Sequence, residues 1–203
     1  NCLVGVKARQ LVRPPGEQTE RAARACVNPV NPFRHTALNA TERATLVEFD
    51  ARRLDQLVPM WRASFEGGVG IVDPHPIEEQ RQYFIDEVLP RNDVRFAILA
   101  NELVGFIAAS SEAVAQLYVH VAFQRRGIGA QLLAWAKEHS CGSLWLYTFA
   151  RNLGACAFYE RHGFTAIERG FEPMWQLEDI KYHWRVGTAL NGRSAQGHAR
   201  ADS

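Results

Sequence analysis

The sequence has few cysteines, no long hydrophobic run and almost no excess charge of one sign. The four cysteines, Cys2, Cys26, Cys141 and Cys156, lack a CxxC pair or histidines at metal-ligand spacing, which argues against a disulfide framework and predicts no metal site. No stretch approaches the roughly 20 apolar residues of a membrane span, so we expect a cytoplasmic protein that does not bind membranes. A net charge of +1 excludes a strongly basic nucleic-acid binder as a description of the whole chain.

The charges are distributed unevenly along the 203 residues. Residues 1–40 carry a net charge of +4, are rich in Arg, Pro, Asn and Ala, and show no sustained period, which predicts a poorly ordered basic extension. Residues 41–186 carry a net charge of −4 and contain the regular hydrophobic patterns. Residues 187–203 are again without pattern, and we expect a disordered tail. One domain of ordinary composition therefore lies between two tails.

Hydrophobic periodicity in this domain predicts the element order β-α-α-β-β-β-α-β-α-β-β. The predicted strands are 44–49, 94–100, 103–109, 114–121, 144–148, 165–169 and about 182–186. The first predicted helix follows residue 50 and ends at the glycines that begin at residue 67, and the other predicted helices are 77–88, 127–139 and 152–162. Asp50 is a candidate N-cap, Pro59 should kink or restart the first helix, and Asn101-Glu102 should form a two-residue hairpin connection. The order is that of a mixed α+β domain with a mostly antiparallel sheet flanked by helices.

A glycine-containing turn between a strand and a helix is the most informative segment, with the sequence LYVHVAFQRRGIGA over residues 117–130. A helix N-terminus exposes unpaired N–H groups and the positive end of the helix dipole, so such a turn is suited to bind an anion. Gly127 and Gly129 allow the backbone to approach the anion, and Arg125 and Arg126 add positive charge suited to phosphate.

Three phosphate-binding loops can be compared with this turn. A Walker loop requires Gly-Lys-Ser/Thr, but Gly129 is followed by Ala130 and Gln131. The dinucleotide fingerprint requires Gly or Ala at position 132, where the chain has Leu132. The third pattern, Gln/Arg-x-x-Gly-x-Gly/Ala, is matched from Gln124 to Gly129. It resembles the acyl-CoA pyrophosphate loop of the GCN5-related N-acetyltransferases, the GNAT family.

A second segment supports this resemblance. Residues 152–164, NLGACAFYERHGF, are similar to the family signature Asn-x-x-Ala-x-x-Phe-Tyr followed by Gly-Phe, and the resemblance extends over about residues 44–186. One departure is Val121, where the family often has proline. Purely structural roles are open for three of the residues: Asn152 as an N-cap, Gly163 as the left-handed residue that ends a helix, and Tyr159 as a packing aromatic.

The resemblance implies a reaction and a set of binding residues. The cosubstrate would be acetyl-CoA and the acceptor a primary amine that attacks the thioester directly, with Tyr159 as the general acid that protonates the leaving thiolate. The fourth and fifth strands would splay apart, and the pantetheine arm would pair with the backbone of Val119 and Val121. The pyrophosphate would lie on the loop amides, and Asn152 would fix the pantetheine or the chain leading to Tyr159. The implied cofactor-binding residues are Val119, Val121, Gln124, Arg125, Arg126, Gly127, Ile128, Gly129, Ala130 and Asn152.

Acidic and aromatic residues in two loops are candidates for binding a cationic acceptor. The candidates are Glu66, Asp73, His75, Tyr147 and Trp175. No general base stands out: Glu112 and Tyr147 are positional candidates, and water-relayed deprotonation or a substrate that arrives neutral is equally open. His120 is expected to be structural because it faces the opposite side of its strand from Val119.

Two other function classes are open from the sequence. A catalytically idle acyl-CoA binding or sensing module would share the loop, and the arginine-rich N-terminus could bind nucleic acid with a steep salt dependence. A homodimer formed through the edge of the last strand is also compatible with the pattern.

Overall fold

The computed structural model describes residues 43–187 and has the predicted element order. The predicted extension, residues 1–40, and the tail beyond residue 187 lie outside the described residues. The strands are β1 Thr45–Glu48, β2 Asp93–Leu99, β3 Glu102–Ala109, β4 Val114–Val119, β5 Ser143–Phe149, β6 Thr165–Glu172 and β7 Leu177–Arg185. The helices are α1 Leu54–Val69, α2 Ile77–Tyr83, α3 Ile128–Glu138 and α4 Leu153–Arg161. The predicted mixed α+β class is therefore confirmed.

The strands form two antiparallel sheets, ordered β1-β2-β3-β4 and β5-β7-β6. Within the described part of the chain, one parallel bridge between Ala113 and Trp145 joins them, where the Trp145 N–H donates to the Glu112 carbonyl at 3.0 Å. Beyond this bridge β4 and β5 are not paired, so the sheet opens between them. The opening leaves backbone groups of β4 without a neighbouring strand.

Two hydrophobic clusters cover the two faces of the sheets. One includes α3 and α4 and is centred on side chains such as Leu117, Leu133 and Tyr159. The other includes α1 and the segment after α2, with Trp61 in contact with the rings of Phe84 and Phe106 at about 6 Å. The helices are thus layered on opposite faces of the sheets.

Local sequence signals explain the bounds of α1. The Asp50 carboxylate accepts a hydrogen bond from the Arg52 N–H at 3.0 Å, as expected for the N-cap of the short turn that leads into the helix. The helix then continues through Pro59 without a restart, and ends at Gly70, which has a φ of 73°. Glycine suits this left-handed position because it has no Cβ to clash.

Three predicted details were wrong. Strand β4 ends at Val119, because His120 turns the chain into a short 3-10 helix over Val121–Phe123. The hairpin connection is Ala100-Asn101 instead of Asn101-Glu102, since both of these residues have the positive φ that a two-residue turn requires. The last strand, β7, lies between β5 and β6, so it is not an edge that a second copy could extend.

Three other bounds differ in extent. Helix α2 is shorter than predicted, and a π turn over Phe84–Val88 replaces its second half. Strands β6 and β7 are longer than predicted, because they pair with each other along almost their full lengths. None of the helices within residues 43–187 has the length and apolar character needed to cross a bilayer.

Candidate active site

The free edge of β4 at Val119 forms one wall of the opening. The His120 N–H donates to the Val104 carbonyl of β3 at 2.8 Å, and Val119 is paired with Gly105 in the same ladder. Because backbone groups alternate in direction along an antiparallel strand, the N–H and C=O of Val119 face away from β3 and toward the gap. This is the orientation that the predicted role of Val119 requires.

The carbonyl of Val119 already has two internal donors. The Ser64 hydroxyl of α1 donates to it at 3.1 Å and the Gln124 side-chain amide donates at 3.0 Å. A carbonyl oxygen has two lone pairs, so both acceptor positions are used. The N–H of Val119 has the direction that the predicted pairing requires, its C=O is bonded to Ser64 and Gln124, and the pairing with pantetheine stays a prediction. Ser64 was missed, although it is the one polar residue on the apolar stripe Leu57, Trp61, Phe65, which is a usable sequence signal.

Val121 does not occupy the predicted strand position. It lies in the short turn after β4 with 48% of its surface exposed. The His120 ring accepts a hydrogen bond from the Ala122 N–H at 3.2 Å and packs edge-on against Phe123, which is consistent with a structural role for His120. The strand pairing expected for Val121 is accordingly corrected.

The segment from Gln124 to Ala130 forms the N-terminus of α3. Arg125 and Gly127 have φ values of 64° and 81°, so the chain passes through the left-handed region twice before the helix begins. Such turns orient successive N–H groups toward one point, and the first helical N–H groups have no partner within the helix. Arg125, Arg126 and Gly127 are exposed, while Ile128 and Gly129 are buried at the start of the helix.

Space for an anion is available at this turn. A Cβ built on Gly127 would meet no atom within 4 Å, so the backbone is open to an approaching group. The Arg126 guanidinium lies 5.3 Å from the centre of the Phe123 ring, which holds its charge beside the turn. The turn therefore fits a phosphate-bearing group such as that of CoA.

Tyr159 lies on α4 and is completely buried. Among residues 43–187 its hydroxyl has no hydrogen-bond partner, whereas the hydroxyl of the neighbouring buried Tyr182 donates to Glu160 at 2.9 Å. Burial raises the pKa of Tyr159 far above its usual range, and the nearby Tyr118 and Cys156 act in the same direction. Burial therefore keeps this hydroxyl protonated, and no described residue accepts a hydrogen bond from it.

Asn152 is the N-cap of α4. Its side-chain oxygen accepts from the Ala155 N–H at 3.0 Å, and the residue is 2% exposed. Gly163, with a φ of 80°, follows the end of the same helix. The structural roles that the sequence left open for these two residues are therefore present, and they fix the start and end of the helix that carries Tyr159.

Helix α1 contacts the ends of β4 and β5, which form the mouth of the opening. Ser64 contacts Val119 at the end of β4, and the adjacent Phe65 packs edge-on against Phe149 at the end of β5, with ring centres 6.3 Å apart. A second buried hydroxyl without a partner, that of Thr148, lies one residue before Phe149. Sequence reasoning did not single out Thr148, and only burial distinguishes it from a surface threonine.

Four of the five candidate acceptor residues are brought together beside this mouth. The Asp73 N–H donates to Glu66 at 3.0 Å, and the His75 ring lies 2.8 Å from the Asp73 carboxylate. The His75 ring packs edge-on against Trp175 from the β6–β7 connection, with ring centres 5.5 Å apart, and Trp175 packs on Phe65 at 4.8 Å. The two loops that carry these candidates are therefore in contact.

Tyr147 and Glu112 lie elsewhere. Tyr147 packs edge-on against Trp145, and the Lys181 ammonium lies over both rings at 5.6 and 5.3 Å. Glu112 is a turn residue whose carbonyl forms the bridge to Trp145 and whose N–H is bonded to Ser110. Neither side chain is in contact with the cluster around His75. Among residues 43–187 no three His, Cys, Asp or Glu side chains are grouped in a way that could hold a metal ion.

Solved structures with the same fold include proteins named as acetyltransferases. The PaiA N-acetyltransferase of Thermoplasma acidophilum, solved in complex with coenzyme A, is 18% identical, with a TM-score of 0.57 over 70% of this chain and 98% of that one. A GNAT-family acetyltransferase of Staphylococcus aureus Mu50 is 20% identical, with a TM-score of 0.56 over 70% and 99%. Apo YjaB of Escherichia coli is 16% identical, with a TM-score of 0.58 over 70% and 97%. At these identities the likeness establishes the fold class.

The sequence itself places the chain within that class. The model of the Acetyltransferase (GNAT) family matches residues 54–164, more than half of the chain, and no curated protein sequence matches it significantly. The chain belongs to the GNAT acetyltransferase family, as the two signature segments indicated, and it is an N-acetyltransferase. The matched residues include the loop before α3 and the helix that carries Tyr159.

Proposed function

We propose that this enzyme transfers an acetyl group from acetyl-CoA to a primary amine by direct attack, with Tyr159 as the general acid. The observation that carries the proposal is the Tyr159 hydroxyl, which is completely buried, protonated and without an acceptor. A leaving thiolate in the gap between β4 and β5 would supply the missing acceptor. The raised pKa of Tyr159 keeps its proton available throughout the neutral range.

The binding of acetyl-CoA rests on the turn before α3 and on the gap. The loop amides from Gln124 to Ala130, with Arg125 and Arg126, would bind the pyrophosphate. The N–H of Val119 faces the gap, where it can donate to the pantetheine or to the oxyanion that forms when the amine attacks. Asn152 acts here through α4, by fixing the helix that presents Tyr159. The role of Val121 is reduced to its place in the turn.

The acceptor would enter at the cluster of Glu66, Asp73, His75 and Trp175. An indole ring beside carboxylates suits a cationic amine. Tyr147, beside Lys181, would then contact only a larger acceptor that extends over the outer face of β5 and β7. A cytoplasmic location and a homodimer stay predictions from the sequence, and β7 is not the edge that such a dimer would use.

The test is release of free thiol from acetyl-CoA across a panel of amines. We expect amine-dependent release by the wild-type enzyme, and a fall in kcat of about 10² or more for Tyr159→Phe. Tyr83→Phe, on α2 and in contact with Trp61, is the matched control and should leave kcat unchanged. Tight CoA binding without amine-dependent release would instead support an idle acyl-CoA module, and full turnover by Tyr159→Phe would remove the tyrosine from the mechanism.

A further inference from the structure

His75 and Asp73 form a hydrogen-bonded pair at the mouth of the site. The Nδ1 atom of His75 lies 2.8 Å from Oδ1 of Asp73. The Asp73 side chain is 8% exposed and the His75 side chain is 38% exposed, so the carboxylate is withdrawn while the imidazole reaches solvent. No described residue hydrogen-bonds to the other ring nitrogen, Nε2. An imidazole held at one nitrogen by a buried carboxylate and free at the other has the arrangement of an oriented base.

The surrounding residues hold this pair in place. The His75 N–H also donates to Asp73 Oδ1, at 2.9 Å, and the Asp73 N–H donates to Glu66. Arg62 donates to the His75 carbonyl at 2.6 Å and lies 3.9 Å from Asp73 Oδ2. Gln80 of α2 accepts from the same guanidinium at 3.0 Å. These hydrogen bonds hold the loop in one geometry, and a catalytic base requires such positioning.

We propose that His75 is the general base that deprotonates the acceptor ammonium, and that Asp73 is its positioning residue. With Nδ1–H donated to the Asp73 carboxylate, the lone pair of Nε2 is available to accept a proton. The groups that face this imidazole are Asp73 from its own loop, Arg62 and Glu66 from α1, and Trp175 from the β6–β7 connection. The proposal rests on the proposed acetyl transfer and names the substrate class as amines that are protonated at neutral pH.

A series of contacts through Trp175 and α1 connects the pair to the ends of β4 and β5. The His75 ring contacts Trp175, and Trp175 contacts Phe65. Phe65 packs on Phe149 at the end of β5, and its neighbour Ser64 bonds to Val119 at the end of β4. The base therefore lies on the α1 side of the gap, whereas Tyr159 lies on the α4 side. An acid and a base on opposite sides of the thioester can act on the leaving thiolate and the incoming amine, respectively.

The protons balance across the reaction. The ammonium transfers one proton to His75 Nε2, and the neutral amine forms a C–N bond with the thioester carbonyl. When the C–S bond breaks, the thiolate takes a proton from Tyr159. The amine nitrogen has meanwhile lost its second proton to water, and the tyrosine recovers one from water. His75 then returns its proton to solvent, so the net products are the acetamide, free CoA thiol and one proton.

Amines of different basicity provide the decisive experiment. For a basic alkylamine we expect His75→Gln to lower kcat/KM by about 10²- to 10³-fold. For an aromatic amine, which is already neutral at pH 7, the same substitution should leave kcat/KM nearly unchanged. His139→Gln, an exposed histidine at the end of α3, is the matched control and should affect neither substrate.

The role of Asp73 is tested separately. In Asp73→Asn the side-chain amide can donate to Nδ1, which moves the ring proton to Nε2 and removes the base. We expect the same selective loss for basic amines, together with a change of tautomer that 15N NMR of the imidazole reports. In the wild-type protein this NMR measurement should show Nδ1 protonated and Nε2 unprotonated, whether or not a substrate has been found.

The outcomes separate this inference from the function on which it rests. If the wild-type enzyme acetylates amines but His75→Gln affects both classes of amine equally, His75 is not the general base, and the proposed acetyl transfer is unaffected. A protonated Nε2 in the neutral wild-type ring would also overturn it. Absence of any amine-dependent thiol release would refute the acetyl transfer itself, and the role of the pair would fall with it.

Discussion

Removal of the hydroxyl groups of two neighbouring buried tyrosines should have opposite effects on stability. No residue in the described part of the chain hydrogen-bonds to the hydroxyl of Tyr159, and that of Tyr182 donates to Glu160 at 2.9 Å. A buried polar group without a partner costs about 1–3 kcal/mol, whereas an ordinary hydrogen bond contributes about 1 kcal/mol. We therefore expect Tyr159→Phe to raise the free energy of unfolding by about 1 kcal/mol. Tyr182→Phe should lower the free energy of unfolding by about 1 kcal/mol, because it removes the hydrogen bond to Glu160. The loss is no larger, since the exposed Glu160 carboxylate can bond to water instead.

Urea denaturation of the two variants and the wild type measures both effects, provided that the slopes with denaturant are equal. The rings of the two tyrosines lie 6.1 Å apart, so they share one environment and Tyr182→Phe is a close control. A gain of stability that accompanies a loss of kcat is the signature of a group retained for function. If Tyr159→Phe is destabilised as much as Tyr182→Phe, the Tyr159 hydroxyl has a structural partner and the argument for a general acid loses its basis.

Three further predictions concern pH, the loop and the strand edge. Because folding raises the pKa of Tyr159, the unfolded state loses the hydroxyl proton at lower pH than the folded state does. Above about pH 10, Tyr159 should therefore lower the free energy of unfolding by about 1.4 kcal/mol per pH unit. Urea melts at several pH values should show this contribution in the wild type and not in Tyr159→Phe. Gly127→Ala should weaken CoA binding measured by calorimetry. Gly142, with a similar φ of 88°, lies away from the loop, so Gly142→Ala should lose as much stability as Gly127→Ala but bind CoA normally. Ser64→Ala should lower stability by about 1 kcal/mol without weakening CoA binding, since it frees a lone pair on the Val119 carbonyl; weaker binding would contradict this.

The element order could be predicted because each signal in it is local. Asp50 caps a turn, the glycines after α1 and α4 end helices, and the apolar period changes from helical to alternating at residue 94. The errors lie where local signals compete. His120 caps a turn that ends β4 two residues early, and the hairpin moves by one residue because both turn residues need positive φ.

The site could be predicted in part for the same reason. The turn before α3 is continuous in sequence, so the match from Gln124 to Gly129 identified it. For groups that come together from distant segments, the sequence indicated candidate residues but not their contacts. Asp73, His75 and Trp175 were candidates, but their contacts depend on how the two loops fold against each other. Ser64 was missed, because its bond to Val119 joins residues 55 positions apart.

The sequence by itself determined the family, the order of elements and the position of the glycine-containing turn before α3, since these depend on residues that are neighbours in the chain. The tertiary structure decided which backbone groups of Val119 face the gap, that its carbonyl is already bonded, and that the Tyr159 hydroxyl is buried without a partner. It also decided that His75 and Asp73 form a hydrogen-bonded pair with Arg62 beside it, which the net charge of the chain does not indicate. Hydrogen bonds and burial depend on distances between remote segments, and only the folded chain defines those distances.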